Sequence, residues 1–165
     1  LVFGAIAGNQ AAGFAATHKP PCLDDDAVTQ ECARLGLLVG PAEGNAKRTR
    51  AELKDVMWRN AGVLRDESSL VAALERISEM RRGLDSLRAP SDRALQHLVK
   101  TRNLVATAEL MCLSARARTE SRGAHYRTDY PAEDNGNWLS TIVVRADSGR
   151  PLLSLEPVSL THMKL

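Results

Sequence analysis

Aromatic side chains are scarce in this chain: Phe, Trp and Tyr together make up 4% of its 165 residues. A core without them must be built from Leu, Val, Ile, Ala and Met, which suits packed helices better than a β-sandwich. Cysteine is nearly as sparse. Cys22, Cys32 and Cys112 match no zinc or redox spacing, and an odd count gives no disulfide framework. Cys112 sits in an apolar helical run and reads as a small buried hydrophobe. The expected location is a reducing cytoplasm. Charge of one sign is also missing, with a net +2 and acids and bases interspersed. The basic stripe of a nucleic-acid binder is therefore not expected. The densest basic run, Lys47-Arg48-Thr49-Arg50, is followed by Glu52 and Asp55 and reads as a solvated helix entry. No apolar run has membrane length, because Asn9 and Gln10 break the N-terminal one. That terminus also lacks the basic region of a signal peptide.

Apolar residues make up 44% of the chain, enough for a folded core. LVFGAIAGNQAAGFAAT, residues 1–17, reads as a helix that is small and apolar nearly all round, the composition of a helix buried in a larger body. The chain is accordingly expected to be a fragment of a larger protein. Pro20 and Pro21 end this helix. Residues 27–40 fit a short helix or an extended linker. Asp24, Asp25 and Asp26 fit helix N-terminal charge better than a cation site, since adjacent side chains diverge.

Three amphipathic helices follow. Thr49 and Glu52 have capping-box spacing, and Leu53, Val56 and Met57 share a face. Asp66 or Ser68 caps a second helix, from about Ser68 to Leu87, striped by Leu70, Ala73, Leu74, Ile77, Met80, Leu84 and Leu87. Ser91 or Asp92 caps a third, running to about Ser121. Its stripe is Leu95, Leu98, Val99, Val105, Ala108, Met111, Cys112 and Ala115, and Gly123 ends it. Met57, Met80 and Met111 all read as core. Short links between such helices predict an up-down-up bundle over 49–125. In the tail, 126–165, NWLSTIVVRA, DSGR and PLLSLEPVSL read as strand, turn and strand. The fold class is thus mainly α: a three-helix bundle, a short C-terminal β-hairpin and an N-terminal helix.

One segment, Thr119 to Leu139, has the composition of an active site, with two arginines, a histidine, two tyrosines, four acids and a tryptophan in 21 residues. Its spacing argues otherwise. No acid is placed to complete a triad with Ser121 and His125, and no nucleophile elbow is present. Glu133 and Asp134 are adjacent rather than across a cleft, and His18, His97 and His162 are scattered, so no metal site is expected. The structural reading fits better. Arg122, Arg127, Asp129 and Glu120 can pair around a corner closed by Gly123. Tyr126 and Tyr130 can pack beside it, and Pro131 can fix the exit. Such a cluster pins the chain as it leaves the bundle, or docks it onto a neighbour.

ESRGAHYRTDYP followed by DNGNWL resembles the C-terminal signature of the succinate dehydrogenase/fumarate reductase flavoprotein family. Within that family, MWRNAGVLRDESSLVAALERI and RNLVATAELMCLSARARTESRGAHYRTDYP most resemble the L-aspartate oxidases, and LVFGAIAG is similar to the helix that closes their flavin domain. The resemblance implies residues 1–20 as the end of an FAD-binding domain, 21–48 as a linker, then the bundle and the tail. It implies FAD in the parent enzyme and oxidation of L-aspartate to iminoaspartate in quinolinate and NAD biosynthesis. The expected partners are the parent's own FAD-binding domain and quinolinate synthase. No catalytic, cofactor-binding or metal residue is expected within this chain. Ser121, Arg122, Gly123, His125, Tyr126, Arg127, Asp129, Tyr130 and Pro131 match the signature as a structural corner or domain interface. Two other readings stand beside this one: a succinate dehydrogenase or fumarate reductase flavoprotein subunit, and an independent helical interaction module.

Overall fold

The computed structural model describes residues 2–19, 22, 24–41 and 44–159. The sequence expectations for Pro20, Pro21 and His162 lie outside them. Two compact units divide the chain, Leu1–Leu37 and Leu38–Leu165.

The first unit holds helix α1 (Val2–Thr17) and helix α2 (Asp25–Gly36). Apolar residues surround α1 without favouring a face, and Phe3, Ile6 and Phe14 are all exposed. Residues 27–40, open between helix and linker in the sequence, are mostly helix. The acidic triplet works at its start. Asp24 Oδ1 accepts from the backbone N of Asp26 at 3.0 Å and of Ala27 at 3.2 Å, with Asp25 and Asp26 in the first turn.

The second unit is built on helices α3 (Ala46–Asn60), α4 (Glu67–Asp85) and α5 (Asp92–Ala117), each packed against the other two. Their directions follow from cross-helix bonds. Glu67–Arg116, Arg81–Glu109 and Asp85–Arg102 pair in opposite chain order, so α4 and α5 are antiparallel. Thr101 Oγ1 reaches Ala46 O at 3.5 Å, and Cys112 Sγ lies 3.8 Å from Met57 Sδ, so α3 and α5 are parallel. The bundle is up-down-up. Its core is Leu53, Leu70, Ala73, Ile77, Met80, Leu84, Leu98, Val105, Ala108 and Cys112. On α5 the buried positions are 98, 101, 105, 108, 112 and 115, alternating steps of three and four as a helix seated in a two-helix groove requires. Each large aliphatic side chain so buried contributes about 1.5–3 kcal/mol before ordering entropy.

The structure corrects three sequence expectations here. Helix α3 begins at Ala46, capped by Asn45, whose Oδ1 accepts from Lys47 N at 3.0 Å and Arg48 N at 3.3 Å; Thr49 lies a turn inside. Asn45 wins because it offers an acceptor one turn earlier, where the loop ends. Helix α5 ends at Ala117, because Arg118 turns extended and its side chain leaves for the tail. Met111 is exposed rather than core, since the seam passes through Cys112 instead. Thr101 takes an unforeseen place in the core. Its hydroxyl donates to His97 O at 2.8 Å, which lets a polar residue sit where the stripe demands burial. The caps of α4 and α5 are Asp66, in a reciprocal box with Ser69, and Ser91.

Two small sheets complete the unit. Strand β1 (Leu64–Arg65) pairs in parallel with β2 (Tyr126–Arg127), Leu64 beside Tyr126 and Arg65 beside Arg127. Beyond a short helix, α6 (Asn135–Trp138), strands β3 (Ser140–Asp147) and β4 (Arg150–Pro157) form the expected antiparallel hairpin. Ser148 (φ 47) and Gly149 (φ 78) form its two-residue turn, both in the left-handed region such tight hairpins need. The hairpin is anchored where β3 meets α5.

If Asn45 is the cap, Asn45→Ala should lower stability by about 1 kcal/mol. Thr49→Ala should change it by less than about 0.5 kcal/mol. Urea unfolding of both variants checks the helix start.

Candidate functional site

The segment with active-site composition folds as a corner that fastens the end of α5 to the start of α4. Arg127 is its centre and is wholly buried. Burial of a guanidinium is tolerated only when its five N–H groups find acceptors. Here all five do. Nε donates to Asp129 Oδ1 and Nη2 to Asp129 Oδ2, both at 2.7 Å. Nη1 donates to the carbonyls of Ala115 at 3.2 Å and Arg116 at 3.0 Å, and Nη2 also reaches Glu67 Oε2 at 3.4 Å. Those carbonyls belong to the last turn of α5, which leaves acceptors unpaired and carries partial negative charge. The Tyr130 ring lies 5.0 Å from the guanidinium carbon.

Asp129 does double duty. Besides its fork to Arg127, its Oδ2 accepts from the backbone N of Glu67 at 2.9 Å, at the N-terminus of α4. Arg127 holds its carboxyl well below the usual range, and the Glu67 N–H adds to this against the cost of burial. Ser121 closes the loop. Its Oγ accepts from Arg127 N at 2.9 Å and donates to Tyr130 O at 2.8 Å, while Ser121 N donates to Ala132 O at 3.0 Å. Gly123, at φ 57, is in the left-handed region as expected. It serves a reverse turn rather than a helix end: Arg122 and His125 exchange backbone hydrogen bonds across it, at 2.8 and 3.0 Å.

A second buried ion, Glu120, sits beside the first cluster. Its Oε1 and Oε2 accept from Arg122 Nε and Nη2, each at 2.9 Å; Oε1 also accepts from Arg118, and Oε2 from Asp134 N at 2.9 Å. Its pKa is lowered from 4.5 to about 2, chiefly by Arg122, then by the Asp134 N–H and Arg118, with burial opposing. Arg118 goes on to Trp138 O and Ser140 O and lies 5.1 Å from the centre of the Trp138 ring, which ties α5 to the hairpin. Arg122 also donates to Asn135 Oδ1 at 2.7 Å.

His125 is set between positive groups. Its Nδ1 faces Arg65 Nη1 at 3.4 Å and its Nε2 lies 3.3 Å from Arg118 O. Burial first, then Arg65, Arg118 and Arg127, push its pKa below 6.5. A neutral ring that donates from Nε2 and accepts at Nδ1 satisfies both contacts. Among the described residues no carboxylate hydrogen-bonds the ring, as an acid orienting a general base would.

Of the nine signature residues, Ser121, Arg122, Gly123, His125, Arg127, Asp129 and Tyr130 thus form one bonded corner. Tyr126 enters through the β1–β2 pairing, and Pro131 is exposed at the exit. Glu67 and Arg65 also belong to it, sixty residues earlier, and nothing local in the sequence marks them. Among the described residues, no three His, Cys, Asp or Glu gather as metal ligands. A groove of about 540 Å³ beside the corner is lined by residues that include Met57, Arg65, Met111, Arg118, His125 and Ile142. No glycine lines it, so it lacks the phosphate-cradling loop that an FAD pyrophosphate requires. The residues lining this groove do not fit a flavin pyrophosphate.

The corner is a buried ionic cluster on a three-helix bundle, with Arg127 and Glu120 bonded within it. Residues 50–165 match the family described as fumarate reductase flavoprotein C-term, and the chain belongs to that family. It is 34% identical, over its whole length, to the 8-methylmenaquinol:fumarate reductase flavoprotein subunit of Wolinella succinogenes, and covers 28% of that protein. It is 35% identical over 145 residues to an FAD-dependent oxidoreductase of Methanocaldococcus jannaschii, 87% of this chain and 26% of that one. Among solved structures, a chain of the Mycobacterium smegmatis Sdh1 complex superposes with a TM-score of 0.82 and 28% identity, over 99% of this chain and 29% of its own. The quinol fumarate reductase FrdA of E. coli superposes with a TM-score of 0.78 and 28% identity, over 99% of this chain and 30% of its own. The chain spans less than a third of the length of each relative.

The Glu120 carboxylate makes acid stability a test of the corner. Its folded pKa lies below its unfolded one, so its contribution is full above about pH 5 and fades as pH falls toward about 2. Glu120→Gln should therefore be less stable than wild type at neutral pH, with the gap shrinking on acidification. Denaturant midpoints from pH 7 to 2 would show it; a gap independent of pH would contradict it.

Proposed function

We propose that this chain is the C-terminal helical domain of an FAD-dependent flavoprotein of the fumarate reductase/succinate dehydrogenase type, and that it braces the flavin-bearing part rather than reacting itself. The observation that supports this most is the family match over 50–165, with structural likeness covering nearly the whole chain. The corner's chemistry agrees. Arg118, Arg122, Arg127, Glu120 and Asp129 are bonded to one another and to helix ends, so these groups are not free to bind or transform a substrate. Other polypeptide supplies the FAD and the redox step. The nearest partner is then the flavoprotein's own FAD-binding domain. The similar structures include a quinol fumarate reductase and an Sdh1 complex, and a place in an assembly of that kind fits this chain too. The three cysteines are unpaired, in keeping with a reducing cytoplasm.

A narrower reading takes the parent as L-aspartate oxidase, with quinolinate synthase as the next enzyme. It is favoured by the two stretches Met57–Ile77 and Arg102–Pro131. The likenesses to fumarate reductase and succinate dehydrogenase subunits support the broader type more directly.

The test is a comparison of two purified proteins. The 165-residue chain should be colourless. The longer flavoprotein that ends in it should be yellow and should reduce fumarate with a reduced dye as electron donor. Oxidation of L-aspartate by the longer protein, with no fumarate reduction, would select the narrower reading. A longer protein without flavin would overturn both. Removing residues 49–165 from it should cost solubility or flavin retention; unchanged turnover and melting would refute the bracing role.

A further inference from the structure

Arg65 stands apart from the other corner arginines. Arg118, Arg122 and Arg127 each pair with a carboxylate. Arg65 has none among the described residues. Its Nε is buried without a hydrogen-bond partner, and among the described residues its side chain makes one hydrogen bond, to neutral His125 at 3.4 Å. Burial and the positive charge of Arg127 both disfavour its charged form. A half-buried cation that no anion balances is costly, and a buried N–H without an acceptor adds to that cost.

The groove of about 540 Å³ opens beside it. Met57, Leu110, Met111 and Ile142 supply apolar walls, while Arg65, Arg118 and His125 lie along one side. Arg118 is already engaged by Glu120, Trp138 O and Ser140 O, so Arg65 carries the free charge. The hydroxyl-bearing Ser114, Ser140 and Thr141 also line the groove. Leu110 and Met111 are exposed at its surface. The lining therefore asks for one negative, planar, hydrogen-bond-accepting group and a short apolar stem.

We propose that this groove binds a carboxylate on a short aliphatic stem, its oxygens on the terminal nitrogens of the Arg65 guanidinium, its carbons against Met57, Leu110, Met111 and Ile142. A carboxylate matches the planar end of a guanidinium and balances the charge that no carboxylate among the described residues meets. A free short-chain acid and a glutamate side chain of another polypeptide segment share this chemistry.

Hexanoate is the probe, titrated into the ¹⁵N-labelled 165-residue chain and followed by NMR. The Arg65 Nε–H signal and the amides of Ala61, Thr141 and Ile142 should shift together and saturate. Hexanol, which has the stem without the charge, and acetate, which has the charge without the stem, should each bind at least about tenfold more weakly, the effect of losing a charged hydrogen bond or several buried methylenes. Arg65→Met should abolish the response. Met111→Glu, at an exposed position outside the packed core, should do so too by placing a competing carboxylate beside Arg65. No saturable shift with hexanoate, or equal binding of hexanol, would overturn the proposal. A second arm uses the longer flavoprotein and alone rests on the proposed function. Binding there as well identifies a free acid as the occupant; binding to the 165-residue chain only identifies a glutamate side chain already in place.

Discussion

A guanidinium taken out of water costs several kcal/mol unless its donors are all met by fixed acceptors, and Arg127 meets that condition by gathering three stretches of chain. The end of α5 offers two carbonyls, the start of α4 offers Glu67, and the corner itself offers Asp129. None of these could move away without exposing an unpaired buried charge. The arrangement also serves both helices, since α5 has spare acceptors at its C-terminus and α4 has spare donors at its N-terminus, one of them taken by Asp129. The path of the tail follows from it. Parallel pairing of β1 with β2 sets the corner against the α3–α4 link, and the Glu120–Arg118 pair then directs the chain toward Trp138 and the hairpin.

The bundle was legible in the sequence because its seams are periodic. Leu70, Ala73, Ile77, Met80 and Leu84 on α4, and Leu98, Val105, Ala108, Cys112 and Ala115 on α5, fall where spacing puts them. Local chemistry narrowed the starts of α4 and α5 to two capping candidates each, of which Asp66 and Ser91 serve, and the Ser148–Gly149 turn announced the hairpin. What failed was decided at longer range. The end of α5 depends on Arg118 finding Trp138 O and Ser140 O, some twenty residues on. Met111 lost its expected place by one position of helix phase, about a hundred degrees of rotation. The corner's membership was half legible: Arg122, Arg127, Asp129 and Glu120 lie together in sequence, but Glu67 and Arg65 join only through the fold.

Active-site composition can thus arise from the demands of a joint. Charged and aromatic residues concentrate between Thr119 and Leu139 because a chain leaving a helix must find acceptors for buried donors, and the groups that do so are then used up. This distinguishes Arg127, saturated with partners, from Arg65, which is not. The two cations differ in burial as well: Arg127 is wholly buried and Arg65 is only half-buried.

The account rests on the fork geometry of Arg127, and Arg127→Lys tests it most directly, because lysine keeps the charge but cannot reach five acceptors. Urea unfolding of the variant should show a loss of about 3 kcal/mol or more, as expected when a buried ionic cluster is left with unmet partners. Stability within about 0.5 kcal/mol of wild type, the range of an ordinary surface substitution, would contradict it.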